Sequence, residues 1–220
     1  MFFEDRNMTQ KSSVDSSGQV KLGDVAEIRT GFMTTRNKSN GKDSKKFKYR
    51  LLNLKCIDNF GFINTSMVED FESHEKLKSD FLTGVGDILI RLSFPYTVVF
   101  IDKKEQYGLL VPSHFAIVRA KDLISAKYIF WALRRAKSRA ALMQKSASTV
   151  ALPVVTKIQI EEIVIPRFSE EKQKFIGNIF ISAEKEFELT MQLANEKRGF
   201  YSAILEQLND KLNGENDGDH

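Results

Sequence analysis

Cysteine, histidine and proline are scarce in this chain, and each shortage excludes something. A single cysteine, Cys56, rules out an internal disulfide and suits a reducing compartment. His74, His114 and His220 are scattered, so no zinc-type ligand cluster forms at the usual spacings. No apolar run approaches the ~20 residues needed to cross a membrane. Residues 1–19 carry two phenylalanines and then a polar, Ser-rich stretch, with no secretory core or cleavage site. The expected location is therefore cytoplasmic. Proline is absent after Pro166, which leaves the last part of the chain free to form one uninterrupted helix.

Catalytic motifs are missing as well. No Gly-x-x-x-x-Gly-Lys-Ser/Thr loop is present to cradle phosphates, so ATP-driven work cannot reside here. Ser93-Phe94-Pro95-Tyr96 comes near the Ser/Asn/Asp-Pro-Pro-Tyr tetrapeptide of amino-methyltransferases, but Phe94 breaks it. No Gly-rich strand-turn-helix for S-adenosylmethionine accompanies it. Glu170-Glu171-Lys172 has the acid-x-Lys shape of metal-dependent nucleases without a paired Asp on a preceding strand. No Ser-His-Asp set presents itself. The chain is expected to be non-catalytic and to hold no cofactor or metal.

What is present fits one good-sized domain with an extension: 220 residues, 42% hydrophobic and 28% charged. The net charge of +4 is modest, but its distribution is uneven. Arg29, Arg36, Lys38, Lys42, Lys45, Lys46, Lys48 and Arg50 face only Asp43 within their stretch. Arg134, Arg135, Lys137, Arg139 and Lys145 form a second basic group with no acid between them. Acids gather at residues 69–75, in the last helical segment and in the tail 215–219. Separated charge of this kind suits a phosphate-binding surface. The plainer reading is a solvated loop and a solvated helix face.

Along the chain, residues 20–28 read as a short strand or turn entering a helical turn, and residues 29–49 as a polar, basic loop. Residues 50–57 and 61–64 read as strands, and 69–78 as a short exposed helix or loop. The runs 88–92, 97–102, 108–111 and 114–119 are β-branched and aromatic and bounded by turn residues, which predicts a meander. Residues 125–144 switch to helical spacing through Ile129, Leu133, Ala136, Ala140 and Met143. Residues 158–165 are expected to form a closing strand before Pro166. The predicted fold class is α/β (α+β): one mixed-strand domain at 20–168, after a disordered lead-in at 1–19, followed by a long helix.

That helix is expected over residues 169–212, with an acidic tail at 213–220 and a stop at Asn213-Gly214. Ile176, Phe180, Ala183, Phe187, Ala194, Tyr201, Ile204 and Leu208 recur at alternating four and three, with Thr190 and Lys197 filling the gaps. This is an a/d seam, the pattern of a coiled coil. At 1.5 Å per residue it would run roughly 60 Å and needs a partner. Packing against its own domain alone is the plainer alternative.

Several of these segments carry a resemblance. Val20-Lys21-Leu22-Gly23-Asp24-Val25-Ala26-Glu27-Ile28 followed by Gly31 resembles the start of a target recognition domain in the specificity subunit of type I restriction-modification systems. Gly86-Asp87-Ile88-Leu89-Ile90-Arg91-Leu92-Ser93 and Val111-Pro112-Ser113-His114-Phe115 resemble the family's central strand and the next one. Ser148-Thr149 through Ile158, Ile163 and Ile165-Pro166 is similar to its closing strand. Ser169-Glu170-Glu171-Lys172-Gln173-Lys174-Phe175-Ile176 resembles the start of its spacer helix, with Lys172 where the family usually has Glu.

The resemblance implies a half-length DNA-reading subunit with one recognition domain and one spacer helix. Its implied partners are double-stranded DNA, a methyltransferase subunit and a restriction subunit. S-adenosylmethionine, ATP and Mg²⁺ would be held by those subunits. Two copies would pair their helices antiparallel as a homodimer, reading a bipartite palindrome. Phosphate and base contacts are expected from Thr30, Thr34, Thr35, Arg36, Asn37, Lys38, Lys42, Lys45 and Lys46 in the first loop. Arg91, Ser93 and Tyr96 follow at the end of the central strand, and Lys145, Ser146, Ser148 and Thr149 in the break after the helix. Simpler readings stand beside these: a cap or turn for Ser148-Thr149, core packing for Tyr96, a satisfied histidine for His114. The rival function is a coiled-coil scaffold or adaptor.

Overall fold

The computed structural model of the chain describes residues 18–34, 47–121, 123–146 and 154–216. The chain divides into two compact units, Met1–Asn178 and Ile179–His220. The first unit is built around β5 (Ile88–Arg91), where Ile88, Leu89 and Ile90 are all fully buried. It lies inside a four-stranded antiparallel sheet in the order β2 (Ala26–Thr30), β8 (Phe115–Ala120), β5, β6 (Val98–Phe100). Side chains alternate across a strand, so three buried residues in a row require cover on both faces.

One face is covered by a second sheet, β4 (Glu69–Ser73), β3 (Phe47–Leu51) and β7 (Leu109–Leu110), in which β3 and β7 run parallel. Leu89, Val99, Phe115 and Ile117 meet Leu52, Cys56, Leu109 and Val111 in one apolar cluster. Burial pushes the Cys56 thiol up, and its Sγ donates to the Met67 carbonyl at 3.1 Å, so it is a core residue. The other face carries α2 (Leu123–Arg134), packed on β6 and β8, with Phe130 stacked on Phe100 at 5.2 Å. Each large side chain buried this way contributes about 1.5–3 kcal/mol.

Several expectations change on inspection. Residues 50–57 are not one strand, since β3 ends at Leu51 and a 3-10 turn capped by Asn53 occupies Leu54–Cys56. The runs from 88 to 119 form no meander, since β7 joins the second sheet and β8 lies between β2 and β5. Residues 125–144 form two helices, α2 and α3 (Ala136–Ser146), broken at Arg135. Residues 69–73 form strand β4, because Phe71 and Ser73 are buried against β3 while the acids point out. Residues 61–64 form no strand, only an isolated Ile57–Ile63 bridge. The expected strand at 158–165 splits into α4 (Lys157–Glu161) and the short β9 (Val164–Pro166). Thr156 and Gln159 form a reciprocal capping box that starts α4, a signal present in the sequence and stronger than the β-branched run after it.

β9 pairs antiparallel with β1 (Gln19–Lys21), Val20 opposite Ile165, and α1 (Leu22–Val25) follows at once with Leu22 N–H bonded to the Ile163 carbonyl. The expected long helix, α5 (Glu170–Asn216), begins four residues after Pro166 and is longer than expected, passing through Asn213-Gly214. Its 47 residues span about 70 Å at 1.5 Å per residue. In its first turns Gly177 is buried, because a Cβ there would lie 2.9 Å from the Lys127 Cβ on α2.

Over Ile179–Asn216 the second unit is a single helix. The seam positions Phe187, Tyr201 and Leu208 are 40%, 62% and 50% exposed, as the seam requires if another helix is to cover them. Leu189, Leu193 and Phe200 are exposed too, to one side of that seam. At ~100° per residue the apolar arc covers about half the circumference, wider than an a/d stripe.

Candidate nucleic-acid interface

The register of the four-stranded sheet gathers segments far apart in sequence at one of its ends. Thr30 closes β2 opposite Ala116, and Arg91 closes β5 opposite Phe115. Gly31 N–H donates to the Phe115 carbonyl at 2.8 Å, and Leu92 N–H to that of His114 at 2.9 Å. The segment arriving from residues 147–153 joins the same end, since Val155 N–H donates to the Leu92 carbonyl at 2.8 Å. The first loop leaves from there as well. Phe32 N–H bonds the Val111 carbonyl at 2.7 Å, and Ser113 N–H the Phe32 carbonyl at 2.8 Å.

Glycine is required at position 31, where a Cβ would sit 2.2 Å from the Pro112 carbonyl oxygen. Phe32 then anchors the departing chain edge-on to Phe71 and Phe81, at 6.1 and 5.4 Å. Thr34, half-buried, is the last described residue before the basic stretch 35–46.

Thr30, Thr34, Arg91 and Ser93 thus share one sheet end with the Ser113-His114 turn. Thr30 and His114 are exposed, and Arg91 Nε lies 3.4 Å from Ser93 Oγ. Tyr96 departs from its expected role. It is only 3% exposed, so its ring supports the turn from beneath and cannot reach a base. Its backbone φ is 54°, in the left-handed region an aromatic residue seldom occupies, and the preceding Phe94–Pro95 peptide is cis. Phe94, which in the sequence marks only a mismatch to a catalytic tetrapeptide, stands out from this turn at 69% exposure. Thr35, Arg36, Asn37, Lys38, Lys42, Lys45, Lys46, Ser148 and Thr149 lie outside the described residues. Lys145 and Ser146 end α3.

Not every cation in the two basic groups is available to a polyanion. Arg29 donates to Asp80 at 2.6 Å and to Glu27 at 2.7 Å. Arg50 reaches the carbonyls of Glu105 and Thr65, both at 3.4 Å. Arg134 donates to the Phe60 carbonyl at 2.5 Å and lies over the Phe130 ring, while Arg135 lies over Trp131 at 5.1 Å. At the opposite end of the sheet, Asp87 binds Arg119 through two hydrogen bonds, which raises the Arg119 pKa further. Among the described residues, no group of three or more His, Cys, Asp or Glu is placed to hold a metal ion. None of the described helices is long and apolar enough to cross a membrane.

No protein-family model matches the chain, and no curated protein matches it. Solved structures do. The chain is similar, at 18% identity and a TM-score of 0.56 over 82% of its length, to a chain from a study of complex assembly and conformational transition in the type I R-M system. It is similar, at 19% identity and a TM-score of 0.52 over 86% of its length, to the HsdS subunit from Thermoanaerobacter tengcongensis. These matches cover 45% and 48% of the two neighbours, so the chain spans a little under half their length. The shared feature is the fold, a mixed α/β domain followed by one long helix.

Proposed function

We propose that this chain is a sequence-specific DNA-recognition subunit of a type I or related restriction-modification system, with one recognition domain and one spacer helix. The observation that carries the reading is the convergence at one sheet end. Thr30, Arg91, Ser93, the exit at Phe32 before residues 35–46 and the return at Val155 after residues 147–153 all meet there, in a fold shared with specificity subunits.

In this reading Lys38, Lys42, Lys45 and Lys46 hold phosphates, which positions the domain. Arg36, Asn37, Thr34, Thr35, Ser93, Ser148 and Thr149 address base edges in the major groove. The subunit performs no chemistry. It lends specificity to a separate adenine methyltransferase subunit and to a restriction subunit, which carry S-adenosylmethionine, ATP and Mg²⁺. The exposed apolar arc of α5 supports pairing of two copies through Ile176, Phe180, Ala183, Phe187, Ala194, Tyr201, Ile204 and Leu208. A two-fold pair would impose a bipartite palindromic site.

The test is a methylome of cells with and without this gene. Gene-dependent methyl-adenine in one bipartite palindrome is the expected result. An asymmetric bipartite motif would mean that two different recognition domains are paired. No gene-dependent mark would return the chain to the scaffold reading. A binding experiment localises the surface: neutralising Arg36, Lys38, Lys42, Lys45 and Lys46 should weaken DNA binding and flatten its salt dependence. Unaltered binding would refute the placement.

A further inference from the structure

Phe94 is the most exposed of the large apolar side chains among the described residues. Single exposed apolar residues are ordinary on protein surfaces, but the backbone beneath this one is unusually well fixed. Arg91 N–H donates to the Thr97 carbonyl and Tyr96 N–H to that of Ser93, each at 2.9 Å. The flanking Leu92 is tied on both sides, to His114 and Val155. Tyr96 is held at φ 54° with its ring buried, and that ring meets Phe94 edge-on at 6.3 Å and 87°. A non-glycine residue in this region persists only where its surroundings enforce it, and such residues cluster at ligand clamps. The buried tyrosine is thus the base on which the phenylalanine stands.

Its neighbours give the polarity of the surface. Arg91 and Ser93 flank it, and Thr30 shares its sheet end. A rigid apolar tip among cationic and hydroxyl groups has the chemistry of a side chain that enters between stacked base pairs while its surroundings hold phosphates.

We infer that Phe94 is an apolar wedge that opens one base step of the bound duplex. This rests on the DNA-recognition reading and adds a deformation at the site to it. A wedge makes affinity depend on how readily that step unstacks, so one position would be selected without any hydrogen bond to it.

The experiment uses the full chain. Duplexes are selected from a randomised pool, and 2-aminopurine, whose fluorescence rises on unstacking, is then placed at successive positions of the winner. Wild type should raise the signal several-fold at one step. Phe94→Ala should abolish that rise and weaken binding about tenfold, while Phe94→Leu retains most of both. Because Phe94 is 69% exposed, Phe94→Ala should keep the wild-type melting temperature. A consensus bound equally well by Phe94→Ala, with the same fluorescence, overturns the wedge and leaves recognition standing. Phe94→Ala that spares DNA binding but loses association with the methyltransferase also overturns it, in favour of a protein contact. A selection that returns no consensus overturns the recognition reading and the wedge with it.

Discussion

Asp87 belongs to the Gly86-Asp87-Ile88-Leu89 segment, and its surroundings assign it to stability. Its side chain is 5% exposed. Oδ1 accepts from Arg119 Nε at 2.9 Å, and Oδ2 accepts from Arg119 Nη2 at 3.0 Å and from Gly84 N–H at 2.8 Å. Arg119 Nη2 also donates to the Leu82 carbonyl at 2.8 Å, so the pair clamps the turn before β5 onto β8. Removing one partner of a fully buried ion pair costs about 3–5 kcal/mol. Arg119 is 29% exposed and keeps Asp80 at 4.0 Å, so part of its charge is compensated without Asp87. The expected cost of Asp87→Ala is therefore about 2–3 kcal/mol. In a domain of this size that lowers the melting temperature by about 5–10 °C. Trp131, the only tryptophan, lies beside Tyr128 at 5.3 Å on α2, so its fluorescence in a urea titration reports on this unit. Asp87→Ala within about 0.5 kcal/mol of wild type, or strict additivity with Arg119→Met in a double-mutant cycle, would refute the clamp.

Other outcomes can be checked with the same titration. Burial pushes the Tyr128 phenol up to about 12, and its hydroxyl donates to the Pro166 carbonyl at 2.7 Å. Below pH ~10 both folded and unfolded chains keep this proton; between about 10 and 12 the unfolded chain loses it first, so stability falls as pH rises. Tyr128→Phe should be about 1 kcal/mol less stable than wild type near neutrality, and the gap should close towards pH 12; a constant gap would contradict this. Gly31→Ala, with its Cβ 2.2 Å from the Pro112 oxygen, should unseat the first loop, seen as a large drop in melting temperature and in DNA binding. Gly177→Ala and Gly199→Ala offer the same helix-propensity gain, about 1 kcal/mol. The first meets Lys127 at 2.9 Å and should destabilise, whereas nothing lies within 4 Å of the second, which should stabilise the helix. Helicity and melting by circular dichroism separate the two.

The strands between Ile88 and Arg119 were legible because β-branched runs bounded by Gly-Asp and Pro-Ser turns favour them, but their order was not: β7 joins the other sheet and β8 returns beside β5, pairings decided by non-local packing. The long helix was legible from its period and its lack of proline. β4 was not, because its acids alternate with only Phe71 and Ser73, and the pairing with β3 that decides it is non-local. α4 was legible in principle, but the Thr156-Gln159 capping box was outweighed by isoleucines that serve the next strand. At the candidate interface, sequence located the polar residues by type and could not tell the upward from the downward side chain of one tight turn. It therefore favoured Tyr96 over Phe94, and the register that brings Thr30 to the same sheet end as Arg91 and Val155 exists only in three dimensions.

The pairing of Val20 with Ile165 means that the path into the mixed-strand fold and the path out of it lie on adjacent antiparallel strands. A segment whose two ends meet side by side behaves as a cassette. It can be exchanged for another of different surface, or repeated further along a chain, by joining at that one ribbon. The junctions fall within β1 and β9, away from the sheet end gathered around Arg91, so the surface at that end can change while the point of attachment stays the same.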